Sequence, residues 1–172
     1  QPHQFRHTPH LSGGFKGMRV SSGESKLVNV GLPNGPLILG ENLLVLLDFS
    51  EATRECEKIT LSLDTVEAVA PAFARAGAGG GGQTVQVVTR TVHARNVLST
   101  NTMLTIPLTA SPTLNTCIGS FSWSLKLHIF LLNAEGKSQD SVSWSVPLTI
   151  GGRTSELDLS PLPPSRSTQL LN

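Results

Sequence analysis

From Phe121 to Leu131 the chain places Phe121, Trp123, Leu125, Leu127, Ile129 and Leu131 at every second position, with Ser122, Ser124, Lys126 and His128 between them. On a helix that spacing would scatter the oily groups around the whole circumference. On a strand it gathers them on one face. Val142, Trp144, Val146, Leu148 and Ile150 repeat the device against Ser141, Ser143, Ser145 and Thr149, and Asn133 to Lys137 carries turn chemistry between the two runs. The pattern predicts an antiparallel hairpin with one oily face and one hydroxyl face. Phe121, Trp123, Leu125, Leu127 and Trp144 are its expected core anchors.

The rest of the chain reads in the same period. Leu27 to Val30 is a short strand candidate, Pro33-Asn34-Gly35-Pro36 a turn, and Leu37 to Phe49 a dense apolar run interrupted at Gly40-Glu41. Lys58 to Val69 begins with Ile59, Leu61 and Leu63 on one parity and continues with Val66 and Ala68 on the other, which predicts a bulge within that strand. Thr84 to Val97 has Val85 and Val87 on one parity and Val88 and Val92 on the other, which again predicts a bulge. Met103 to Thr109 alternates too, with Pro107 demanding an edge or a break. No window sustains helical spacing without a Gly or Pro breaker. Six or seven such strands predict an all-β fold, an immunoglobulin-like antiparallel β-sandwich over residues 27–150. Residues 1–26 read as a flexible arm, residues 151–172 as a Pro/Ser-rich tail, both termini being expected to be disordered, and Ala76 to Gly82 as an expanded loop tip.

Charge enters here because the alternation needs a polar partner and charged side chains do not supply it. Only 15% of residues are Asp, Glu, Lys or Arg, against about 25% in typical soluble domains. Ser and Thr fill the outward positions instead. A net charge of +1 with no Lys/Arg block offers no footprint for nucleic acid. Leu43 to Leu47, the longest nearly apolar run, is far short of a membrane helix, and Gln1 to His10 lacks the apolar region of a signal peptide. The opening on Gln1 rather than Met reads as a piece of a longer protein.

Chemistry is scarce. Cys56 and Cys117 are far apart and outside any C-x-x-C pair, so two reduced, packed thiols are expected, with a single disulfide as the alternative. His3, His7 and His10 would align only on a helix that Pro2 and Pro9 forbid. His93 and His128 have no acidic neighbour in sequence, Arg90, His93 and Arg95 read as a solvated strand face, and Asp48 and Glu51 read as turn solvation. The glycine run is no phosphate cradle, since no Lys-Ser/Thr follows it. There is no G-x-S-x-G elbow, no H-E-x-x-H and no paired carboxylates. No catalytic, cofactor-binding or metal-ligating residue is assigned, and an enzyme is not expected.

What remains is surface. Leu43-Leu44-Val45-Leu46-Leu47 is apolar on both parities, so one face joins the core and the other needs a cover, from the protein's own loops or from a partner. Leu44 and Leu46 are the candidate partner interface.

Leu39-Gly40-Glu41-Asn42 leading into that strand, Asp48-Phe49-Ser50, and Ile59 to Glu67 together resemble the Rgp family. Leu104-Thr105-Ile106-Pro107-Leu108-Thr109-Ala110-Ser111-Pro112-Thr113 before the strand at Ser122 to Leu127, and Trp144 to Ile150 at the close, are similar to the same family. The resemblance covers about Leu37 to Ile150. It implies an arrestin-like sandwich, a subunit of the Ric–Rgp guanine-nucleotide exchange complex that acts on a Golgi Rab GTPase. The implied role is a non-catalytic scaffold in vesicle trafficking. Its partners would be a larger exchange-complex subunit and, indirectly, the Rab, in the cytoplasm and peripheral at Golgi membranes. The glycine run at 77–82 departs from the family as an insertion. Other readings are an arrestin-like trafficking adaptor that binds sorting cargo, a secreted immunoglobulin-like adhesion module, disfavoured by the lack of N-x-Ser/Thr sites, and a hydrolase, which would need a cleft pairing acid and base.

Overall fold

A computed structural model describes residues 14–74, 82–133 and 135–153. The strands are β1 (Phe15–Ser22), β2 (Ser25–Pro33), β3 (Leu37–Ile38), β4 (Asn42–Asp48), β5 (Cys56–Val69), β6 (Gln83–His93), β7 (Ser99–Thr105), β8 (Leu114–Asn115), β9 (Gly119–Leu132), β10 (Ser138–Leu148) and β11 (Ile150–Gly151). A single 3-10 turn, Pro71–Phe73, is the only helical element among the described residues.

Two antiparallel sheets form, β1-β2-β4-β7 and β10-β9-β5-β6, with β8 added beside β9. Their inward positions share one core. Leu43, Val45, Leu47 and Leu104 come from the first sheet and Ile59, Leu61, Leu63, Trp123, Leu125, Leu127 and Ile129 from the second. The all-β sandwich expected from the alternation is therefore present. The hairpin that defined it is β9–β10, in which Trp144 faces Leu127 and Leu148 faces Trp123. Its turn closes through Asn133, whose Oδ1 accepts from the Glu135 and Lys137 amides at 3.0 and 2.9 Å. Gly136 supplies the required positive φ of 72°.

Three details differ from the expectation. Residues 15–26 are not a flexible arm: β1 pairs with β2 across their whole length, from Phe15 opposite Pro33 to Ser22 opposite Ser25. The two-residue loop Gly23-Glu24, with Gly23 at φ 58°, makes the hairpin possible. Second, β5 carries no bulge where its apolar parity changes. It stays in register with β9 throughout that stretch, whereas the bulge expected in β6 is present, with Val87 as the extra residue, since Leu63 faces Val88 while Asp64 faces Gln86. Val66 and Ala68 simply continue the outer face. As Pro107 demands, β7 lies at the sheet edge and ends at Thr105; Ile106 then exchanges backbone hydrogen bonds with Gly40 and Glu41 at 2.9 and 2.8 Å. Third, Ile150 leaves the hairpin and, with Gly151, forms a short parallel pair with β3. The expectations for residues 1–13 and 154–172, His3, His7 and His10 included, and for most of the glycine run lie outside the described residues.

Candidate docking faces

In β4 the pleat sends Leu43, Val45 and Leu47 into the core at no more than 1% exposure, while Leu44 and Leu46 are half-buried on the outer face. The register fixes their surroundings. Leu44 lies opposite Met103 of β7, which is 58% exposed, and Leu46 lies between Asn101 of β7 and Gly31 of β2. Gly31 in turn faces Gly17 of β1, so no side chain rises from that part of the sheet. The result is a shallow apolar strip of Leu44, Leu46 and Met103 beside a glycine floor. Polar groups rim it. Thr105 Oγ1 donates to Asn42 Oδ1 at 2.8 Å at one end. At the other, Asp48 Oδ1 accepts the Ser50 amide at 2.9 Å, and Glu51 pairs with Arg19 and Lys26 at 2.9 and 3.4 Å. Those ion pairs are partly exposed, worth at most about 1 kcal/mol each, and serve mainly to delimit the strip.

Of the five expected core anchors, Trp123, Leu125, Leu127 and Trp144 are buried and Phe121 is partly buried against them. Trp123 is 1% exposed and its indole N–H donates to Ser111 O at 2.9 Å, which satisfies the only polar atom such a buried ring carries. Phe121, half-buried, meets Trp123 edge-on with ring centroids 6.1 Å apart. Leu125 and Leu127 are fully buried and Trp144 nearly so.

The outer face of the β10-β9-β5-β6 sheet is of another kind. Thr60, Ser62 and Asp64 of β5 stand between Thr89 and Thr91 of β6 and Ser124, Lys126 and His128 of β9. Ser143 and Ser145 of β10 continue the row. A pocket of about 220 Å³ gathers Thr60, Ser62, Asp64, Gln86, Lys126 and His128. An acid, a base and hydroxyls thus share one concavity, a grouping that sequence spacing did not reveal because it arises across three strands. Among the described residues no hydrogen bond links Asp64 to His128 or either of them to a hydroxyl, so no proton relay is assembled. The His128 ring instead stacks on Phe130 at 4.5 Å, and Lys58 Nζ lies 4.8 Å from the centre of that same ring.

An open groove of about 600 Å³ runs between the start of β1, the β2–β3 turn and the end of β10. Lys16 is its one charged lining group. Both cysteines are free thiols. Burial pushes the Cys56 thiol up from 9.0 to about 11, so it is inert at neutral pH, whereas Cys117 is exposed. No group of three metal-ligating side chains occurs among the described residues, and no described helix is long and apolar enough to cross a membrane.

Comparison with known proteins matches residues 20–132, about two thirds of the chain, to the family model described as Rgp1. The chain is 28% identical over 163 residues to the "RAB6A-GEF complex partner protein 2" of Bos taurus, covering 89% of this chain and 41% of that protein. It is likewise 28% identical over 150 residues to the protein of the same name from Homo sapiens, covering 81% and 38%. It therefore spans about two fifths of the length of these curated relatives.

Proposed function

The chain belongs to the Rgp1 family, and from that premise we propose that it is a non-catalytic docking domain of a guanine-nucleotide exchange complex for a Rab GTPase. The names of the two relatives, each a partner protein of a RAB6A exchange complex, support that assignment. In this reading the domain holds a larger subunit of the complex, which carries out exchange, and meets the Rab only through it. It works in the cytoplasm, peripheral at Golgi membranes, with an arrestin-like arrangement of its sandwich.

The single structural observation behind the reading is the strip on β4. Two leucines on the solvent side of a strand whose other face is fully buried have a glycine floor, Asn101 and Met103 beside them. Completing the burial of half-exposed side chains of this size yields about 1 kcal/mol each. Leu44, Leu46 and Met103 together then supply a compact apolar centre, and the surrounding Asn42, Asn101, Asp48 and Arg19 supply the polar rim typical of a specific interface.

The experiment is co-purification with the larger exchange subunit. The unaltered chain is expected to co-purify, and Leu44→Asp with Leu46→Asp is expected to lose the complex while keeping the β-type circular dichroism of the unaltered chain. A double variant that still binds with unchanged affinity refutes the docking face. Failure of the unaltered chain to bind refutes the assignment itself.

A further inference from the structure

The turn between β2 and β3 reads Pro33-Asn34-Gly35-Pro36 and holds the chain's one Asn-Gly pair. Asn34, Gly35 and Pro36 are all exposed, and a Cβ built on Gly35 would meet nothing within 4 Å. The Asn34 backbone amide donates to Gly14 O at 2.9 Å, which fixes the entry to the turn. Past that bond, no hydrogen bond among the described residues engages the Asn34 carboxamide or the Gly35 amide. The other internal asparagines are held or shielded. Asn42 Oδ1 accepts from Thr105, Asn133 Oδ1 accepts from two backbone amides, and Asn29 is buried beside Arg19. Asn96, Asn101 and Asn115 precede Val97, Thr102 and Thr116, whose branched Cβ crowds the next backbone nitrogen.

We propose that Asn34 is a modification site at which the chain converts its own carboxamide to a carboxylate. The Gly35 backbone nitrogen attacks Asn34 Cγ, the new N–Cγ bond closes a five-membered imide, and the Cγ–Nδ2 bond breaks. The proton lost by Gly35 N passes through solvent to the departing nitrogen, which leaves as ammonia. Water then adds to either imide carbonyl. Opening at Cγ gives an aspartyl residue with the backbone restored, whereas opening at the main-chain carbonyl gives an isoaspartyl link that runs through Cβ. Nothing is oxidised or reduced, and water is the one co-reactant. Glycine permits the attack, since without a Cβ the backbone turns its nitrogen towards Cγ at little steric cost.

The position of the turn gives the product its consequence. Asn34 and Gly35 line the open groove of about 600 Å³ in which Lys16 is the one charged lining group. Either product adds a carboxylate to that lining, so a singly cationic groove acquires both signs of charge. The isoaspartyl form also lengthens the backbone of a connection tied at Gly14 on one side and at the β3–β11 pair on the other. None of this depends on the partner of the β4 strip.

The test holds the full 172-residue chain at neutral pH and body temperature for several weeks. The tryptic peptide from Leu27 to Arg54 is then mapped by mass spectrometry with electron-transfer fragmentation, which separates aspartyl from isoaspartyl products. The mass gain of an amide-to-acid exchange is expected at Asn34, in both forms, while Asn29 and Asn42 of the same peptide stay unchanged. Gly35→Ala should slow the conversion at least about tenfold, because the added Cβ crowds the attacking nitrogen. A synthetic peptide of residues 31–38 sets the rate of an unrestrained turn, and the folded chain is expected to match it. No gain at Asn34, a gain shared equally by the three asparagines, or an undiminished rate in Gly35→Ala would each overturn the proposal. So would a folded chain at least about tenfold slower than the peptide, which would show the turn closed to the attack.

Discussion

The two sheets present the same inner face and opposite outer faces. Inside, β4 offers Leu43, Val45 and Leu47 and β5 offers Ile59, Leu61 and Leu63, all essentially inaccessible. Outside, the corresponding positions are Leu44 and Leu46 on β4 but Thr60, Ser62 and Asp64 on β5. A strand's inner positions are dictated by the core and say little about role, whereas its outer positions are free to differ. Where they are mostly hydroxyl-bearing, the face is polar with few charges. Where they are leucines, water is a poor neighbour and a protein a good one.

The most severe way to test the comparison is to ask whether the inner faces are equivalent. Trp123→Ala on one sheet is expected to cost about 3–5 kcal/mol and Leu43→Ala on the other about 2–5 kcal/mol, read by chemical denaturation. A loss below about 1 kcal/mol in either would mean that the sheets do not share a core. Next comes the outer face of β4. Leu44→Asp with Leu46→Asp should weaken capture of the larger exchange subunit at least about tenfold, while stability changes by about 1 kcal/mol or less per site. Unfolding of that variant would place the leucines in the core and erase the contrast. On the hydroxyl face, Thr91→Lys, which removes a contact between Thr60 and Thr91 oxygens of 3.2 Å, should stay within about 0.5 kcal/mol of the unaltered chain. The smallest effect concerns the thiols. Cys117 should react with an aromatic disulfide reagent in the native chain and Cys56 only on unfolding. Because the Cys56 pKa is raised from 9.0 to about 11, the folded state holds its proton longer than the unfolded one. Its contribution is fully present below pH 9 and declines as pH rises towards 11, so Cys56→Ala should flatten the alkaline fall in thermal midpoint over that window.

Strict one-faced alternation made β9 and β10 readable, since no other structure accommodates Phe121 to Leu131. The same logic failed for β1. In Phe15 to Ser22 only Met18 and Val20 alternate as core residues, Gly17 interrupts, and Lys16 and Arg19 look like a solvated linker. Pairing with β2 makes that segment a strand, and the available signal was Gly23-Glu24 as a two-residue hairpin loop between Val20 and Leu27. The bulge expected in β5 is absent for a related reason, while the one expected in β6 is present at Val87. A parity change marks a change of surroundings, and at Val66 the inward position passes to Thr65 and then to exposed Glu67 without any backbone irregularity. For the docking strip, Leu44 and Leu46 were visible as excess apolar parity, while Met103 and the glycine floor needed the register of β7 and β2. Asp64 was visible only as an outward residue. Its enclosure arises from strands more than twenty positions away on one side and sixty on the other.

The short parallel pair of β3 with β11 joins Leu37 to Ile150 and Ile38 to Gly151, reinforced by the Leu39 amide donating to Gly151 O at 3.1 Å. During synthesis this seam cannot close until nearly the whole sandwich has left the ribosome. The β1-β2-β4-β7 sheet, complete by Thr105, must wait with its oily inner face uncovered for β9 to arrive. A stop codon or cut before Ile150 therefore leaves a nascent chain with one sheet made and its closure missing, a species for chaperones to hold rather than a smaller working domain.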